Sequence, residues 1–297
     1  MAKVSFEAFK KLNDVPILSE DDLRSWGSIV VSKKTRRTLA DNLTGYPLSA
    51  SGTWATYLGN QLGVDPPDSL EAQYKAVKEN LTNEFIIVEL NWAGGDNDNG
   101  DKPYGGEPYR WHNFHDWAFH GFDAQWKVDE SGAAGHHPNG VYRLAQAVWN
   151  TPIEGAWVTD FWKGMPSSSG PKLNANLSSI SQAERDQLEE GMVQILAKEA
   201  KSLGAVRPIW LVVGHDYDRV LRHARELVGD ETWRIILIPH HSGGNQGYVK
   251  GKASMRRWCP EALTAMYDSI GKARSALGLE WEVDTAKQTK FVFRRAS

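Results

Sequence analysis

Four short runs of almost unbroken apolar residues mark the chain: FIIVELN (85–91), GAWVTDF (155–161), PIWLVVGH (208–215) and WRIILIPHH (233–241). A strand with one wet face alternates apolar and polar residues. A continuous run instead suits a strand covered on both faces, as in a parallel sheet. Between the runs the period lengthens to that of a helix. GVYRLAQAVWN precedes the second run, SQAERDQLEEGMVQILAKEAKSLG the third and DYDRVLRHARELVG the fourth. Ser181, with Glu184 three residues on, forms a capping box, and Gly204 suits a C-terminal stop. The alternation predicts an α/β fold: three layers, α/β/α, around a central, mainly parallel four-stranded sheet. Ligands of such sheets gather at the carboxyl ends of the strands. Here those ends carry Asn91, Asp160, His215 and His240.

The flanking regions are less patterned. Residues 1–80 show one helical stretch, SLEAQYKAVKENL, after a DPPDS turn. They read as an N-terminal extension of a single domain spanning 1–297 rather than as a unit of their own. A helix is expected near 252–277, with Pro260 at its start or at a kink, and the tail KFVFRR as an added edge strand. The longest interruption, residues 92–135, holds nine aromatics in 44 positions, and eight Asp or Glu against three Lys or Arg. Loops of this length inside a domain are usually functional or disordered, and the aromatic content argues against simple disorder.

Composition narrows the picture. The net charge of −3 gives no global signal for nucleic acid, so any DNA contact must rest on local patches. Cys259 is the one cysteine, which excludes a disulfide framework and any four-cysteine zinc or iron–sulfur centre. No run is long and apolar enough to span a bilayer, and MAKVSFEAFKKLNDVP lacks the apolar segment of a signal peptide, so a cytoplasmic protein without membrane contact is expected. Several of the thirteen tryptophans sit among Gly, Asn and Asp, where exposed aromatics tend to bind something.

Taken together, the strand-end sequences resemble the uracil-DNA glycosylase superfamily. VELNWAG resembles its first motif, in the G-I-N-P-G form of the mismatch-specific branch. HPNGVYRLAQAVWN resembles the helix that follows, WVTDFWKGMP the next strand end, and IWLVVGHDYDRVLRH the third strand and helix. IPHHSGGNQGY resembles the last motif, P-H-P-S. The likeness covers about residues 84–260 without the insertion. It departs at Glu89 and Trp92, which replace Gly and Pro, and at His241, which replaces Pro.

The resemblance implies hydrolysis of an N-glycosidic bond in DNA, with the nucleotide flipped out of the stack. Asn91 falls on the water-positioning asparagine, with Asp96 and Asp98 as alternative bases in the same loop. His240 falls on the histidine that stabilises charge developing on the base O2, and His241 could exchange roles with it. Ser242, Gly243 and Gly244 offer a hydroxyl and backbone N–H groups to phosphate, followed by the basic residues Lys250, Lys252, Arg256 and Arg257. His112, His115, Asp116 and His120 have spacings open to metal ligation. Loop histidines more often make ordinary hydrogen bonds, however, and neither metal nor cofactor is expected.

Asp160 carries the most specific expectation. Uracil-excising relatives have asparagine there, the residue that reads the base. A carboxylate accepts from the N4 amino group of cytosine and would face uracil O4 lone pair to lone pair. A proton shared with cytosine N3 would complete the pairing and improve the leaving group. An enzyme excising ordinary cytosine would destroy its host's genome, so the substrate should be a modified cytosine. In the insertion, Trp92, Trp111 and Trp117 are candidates for a pocket that stacks on a base or sugar. The sequence thus points to a monofunctional glycosylase acting on a modified cytosine-type base, glucosylated hydroxymethylcytosine of phage DNA foremost, with an anti-phage role. DNA is the expected partner, without an obligate protein partner. The alternatives are a conventional uracil or mismatch glycosylase, a non-catalytic α/β module binding a nucleotide or carbohydrate, and a metal-dependent hydrolase built on the histidine loop. In the bland reading, Asp160 caps a helix or pairs with Lys163.

Overall fold

A computed structural model of the protein describes residues 3–32, 36–56, 61–62, 68–90, 152–165, 170–213 and 233–238, together with Val148, Leu221, Glu226 and the pair 294–295. All four apolar runs contain strands. Two short strands precede them, β1 (Gly52–Trp54) and β2 (Gln61–Leu62), so the four are β3 (Phe85–Glu89), β4 (Trp157–Asp160), β5 (Ile209–Val213) and β6 (Arg234–Ile238). They pair in parallel, with Ile86 between Trp157 and Trp210, and Trp210 beside Ile235. Every described side chain of β4 and β5 is buried, as the continuous apolar runs require.

The sheet has five strands rather than the expected four, in the order β1-β4-β3-β5-β6. The fifth comes from the N-terminal region: β1 lies antiparallel to β4, with Gly52 opposite Thr159 and Trp54 opposite Trp157. Gly52 has no room for a side chain, because a Cβ would fall 2.4 Å from the Trp157 ring. A strand of three residues has no readable period, and only its distant partner makes it a strand. The fold is therefore α/β around a mixed, mostly parallel sheet. The C-terminal tail supplies β7 (Arg294–Arg295), but it pairs in parallel with β2 in a separate two-stranded ladder instead of extending the main sheet.

β3 has β4 on one side and β5 on the other, so the chain reverses its direction across the sheet after β4. The carboxyl ends on either side of such a reversal leave a crevice, the usual place for a ligand.

The N-terminal region contributes three short helices, α1 (Phe6–Asp14), α2 (Glu20–Ser25) and α3 (Leu39–Leu43), each started by a hydroxyl cap: Ser5, Ser19 and Thr38. α4 (Leu70–Val77) falls inside the expected helix and is tied back by a bond from Tyr74 Oη to Val4 O, 3.0 Å long. Between β4 and β5 run α5 (Gly170–Leu177) and α6 (Gln182–Ser202). α6 opens with the Ser181–Glu184 capping box, and Gly204 just past its end has a φ of +68°, a conformation glycine adopts without a Cβ penalty. Its stripe Leu188, Met192, Ile195, Leu196 faces the core, and Gly191 lets the Trp26 ring lie against the helix backbone. Val148 and Leu221, in the two other expected helices, are helical and buried. Among the described residues no helix is long and apolar enough to cross a membrane.

Candidate functional site

Asp160 is the last residue of β4, and Glu89, its register partner, the last of β3. The ladder is carried past the strands by Phe161 N–H donating to Glu89 O at 2.9 Å and Trp162 N–H to Leu90 O at 2.9 Å. The turn Phe161–Met165 is buried throughout. Gly164 (φ +71°) packs between Leu39 and Leu43 of α3, and its carbonyl accepts from Asn42 Nδ2 at 2.7 Å. This framework fixes the backbone that presents Asp160.

The pleat sends Thr159 and Asp160 to opposite faces. On the Thr159 face lies a closed polar cluster. Lys163 Nζ donates to Thr159 Oγ1 (2.8 Å) and to the backbone carbonyl of Asp160 (2.6 Å), and forms an ion pair with Glu199 Oε2 of α6 at 3.3 Å. Glu199 Oε1 accepts from Thr159 Oγ1 (2.9 Å) and from Ser51 Oγ (3.2 Å). Thr159 Oγ1 also lies 3.1 Å from Ser51 O, and Ser51 Oγ 3.0 Å from Leu48 O. Lys163 and Glu199 are both fully buried.

Asp160 is different. It is 1 % exposed, and neither of its carboxyl oxygens has a hydrogen-bond partner among the described residues. Lys163 takes its carbonyl and not its carboxylate. Among the described residues, neither form of the bland reading is therefore found: Asp160 caps no helix with its carboxyl, and the carboxyl makes no salt bridge to Lys163.

The charges settle accordingly. Burial pushes the Asp160 carboxyl well above the usual carboxylate range, the neighbouring charges of Glu89 and Glu199 push it further, and Lys163 opposes them. Burial also raises Glu199, against the pull of Lys163, Thr159 and Ser51. Burial pushes the Lys163 ammonium down, and the two carboxylates hold it up. The ammonium is in contact with Glu199, so the economical state is an ionised Lys163–Glu199 pair beside a protonated Asp160. A neutral carboxyl offers one donor and one acceptor side by side. That is the complement of an edge with a ring nitrogen next to an amino group.

Sequence reasoning singled out Asp160 and missed Ser51, Thr159 and Glu199. Glu199 left a signal: it follows Ile195 and Leu196 by four and three residues, which puts a carboxylate on the apolar stripe of α6. Ser51 left none, since only the fold brings it there. Asn91, Trp92, Asp96, Trp111, Trp117, His240, Ser242, Gly243 and Lys250 lie outside the described residues, as does the histidine loop. Among the described residues no group of His, Cys, Asp and Glu could hold a metal ion. No protein-family model matches the chain, and neither a curated protein nor a solved structure matches it.

Proposed function

We propose that the protein is a monofunctional DNA glycosylase that hydrolyses the N-glycosidic bond of a modified cytosine-type base, with glucosylated hydroxymethylcytosine of phage DNA as the favoured substrate, and leaves an abasic site. The observation that carries this reading is Asp160: a buried carboxyl with both oxygens unpartnered among the described residues, at the carboxyl end of a strand beside the sheet's reversal. Native proteins seldom leave buried polar groups unpaired, and an exception asks for a ligand. The resemblance of four motifs to the uracil-DNA glycosylase superfamily, in the right order along the chain, supports the reading, and it implies the superfamily's three-layer α/β/α arrangement.

A protonated Asp160 refines how the base is read. Its proton can sit on either oxygen, so hydrogen-bond counting alone does not reject uracil. Cytosine can go further, because its N3 can accept the proton outright. The result is a carboxylate facing N4–H and N3–H, a charge-assisted pair that uracil cannot form. The same proton lets the base depart neutral. In this reading His240 meets O2, Asn91 holds the water, Ser242, Gly243 and Lys250 take phosphates, and the tryptophans of residues 92–135 receive the sugar.

The test is single-turnover base release from matched duplexes holding uracil, cytosine, hydroxymethylcytosine or its glucosylated form, with abasic sites cleaved by alkali. Wild type should prefer the glucosylated base. Asp160→Asn, which keeps a donor and an acceptor but has no proton to give to N3, should lose that activity and keep any on uracil, so that the preference shifts toward uracil by about 1–3 kcal/mol. A wild-type preference for uracil that the variant keeps would remove Asp160 as the base reader. No abasic sites on any duplex, with DNA still bound, would leave a non-catalytic module.

A further inference from the structure

Glu89 and Asp160 are register partners on adjacent parallel strands, which lie about 4.8 Å apart. Their pairing turns both side chains to the same face of the sheet, opposite the Thr159 cluster. They differ in access: Asp160 is buried and Glu89 is half-buried. Among the described residues, the charged groups acting on Asp160 are Glu89 from β3, Lys163 from the turn after β4, and Glu199 from α6. Lys163 and Glu199 form an ion pair on the far face. Of the three, Glu89 alone shares the face of Asp160, and it is half-buried where Lys163 and Glu199 are enclosed.

We propose that Glu89 and Asp160 form a carboxyl pair in which Glu89 passes protons from solvent to Asp160, restoring Asp160 after each turnover as the acid that protonates the departing base. The proposal rests on the reading that Asp160 faces that base. In the step, the proton moves from Asp160 to N3, and the bond between the sugar C1′ and the base N1 breaks with its electron pair going to the base. The base leaves neutral, and Asp160 is left ionised. Water adds to C1′ and gives up a proton to solvent. Glu89 accepts a proton from solvent and, once its side chain turns onto Asp160, hands it on, so protons and charge return to their starting count. Glu89 acts through Asp160, as a positioning residue for its proton.

The charge of Glu89 also holds the proton on Asp160. In the full-length protein, Glu89→Gln should therefore let Asp160 ionise at lower pH than in wild type. The infrared carbonyl stretch of the protonated carboxyl, assigned by its loss in Asp160→Asn, should vanish at lower pH. The alkaline limb of base release should move the same way, with the rate falling about tenfold per pH unit beyond it, as loss of one proton requires. Glu89→Asp, which keeps the charge, should restore both positions. An infrared band and a limb unmoved in Glu89→Gln would overturn the pair. If wild type releases no base from any duplex while the band moves, the pair stands and the glycosylase reading falls. If base is released while the band stays, the reading stands and the pair falls.

Discussion

At the scale of the residue, the protein tolerates a carboxyl that no neighbour satisfies among the described residues, and that arrangement has a pH signature. The Asp160 carboxyl is raised by burial and by Glu89. Between the ordinary carboxylate range and that raised value, the folded protein keeps a proton which the unfolded chain has released. The contribution of Asp160 to stability is therefore fully present below the ordinary range and is lost as pH rises through the raised value. Asp160→Asn removes this loss. Its cost in buried amide hydrogen bonding does not depend on pH, so the variant should gain on wild type as pH climbs from mildly acid to mildly alkaline. Glu199, raised in the same direction, keeps some slope in both proteins. Urea unfolding across this range would measure the difference; parallel curves for the two proteins would mean that Asp160 is ionised throughout. Glu199, in contrast, exemplifies a buried charge made tolerable, with an ammonium and two hydroxyls around it.

At the scale of the element, the approach to β4 depends on Gly155. Its φ is +80°, and a Cβ there would fall 1.7 Å from the Asn80 carbonyl oxygen, where the chain between α4 and β3 crosses beneath it. Gly45 has nearly the same φ, +83°, but open space around it. Gly45→Ala should cost about 1–2 kcal/mol, the penalty of the left-handed region alone. Gly155→Ala should cost more, about 3 kcal/mol or beyond, since backbone has to move. Equal losses in chemical denaturation would show that the contact with Asn80 relaxes freely. The elements themselves were unequally legible. β3 to β6 and α6 stood out because burial on both faces writes continuous apolar runs, and because capping and periodicity are local. α1, α2 and α3 are too short for periodicity to rise above chance, and β1 has three residues. For the site, Asp160 was legible since it ends an apolar run. Its surroundings were not, because Ser51 and Glu199 come from elements distant in sequence.

At the scale of the molecule, the N-terminal region is woven into the core, although its sequence reads as an extension. Phe9 stacks on Trp54 at 6.0 Å, and Trp54 meets Trp157 edge-on at 5.1 Å. Lys198 of α6 donates to Ile17 O at 2.9 Å and to Asp22 Oδ2 at 3.0 Å. Ser51 delivers a hydroxyl to Glu199, and β1 covers the free edge of β4. Deleting residues 1–56 would expose that edge and the Trp157 ring, and would take one acceptor and one donor from the polar cluster. The shortened chain should lose its cooperative unfolding transition and tend to aggregate. A truncated protein that melts with the midpoint of the whole would show the region to be an appendage.

The pairing of β1 with β4 also sets an order of events during synthesis. Thr159 follows Ser51 by 108 residues, and Glu199 follows it by 148. A chain emerging from the ribosome thus holds its first strand in waiting while the middle of the protein is made. Contacts so far apart in sequence are slow to close. Until they close, the tryptophans of the N-terminal region lack their partners and are open to other chains. The carboxyl end of β4 gains its full support only once α6 has been made, so an incomplete chain cannot hold a finished Asp160 site.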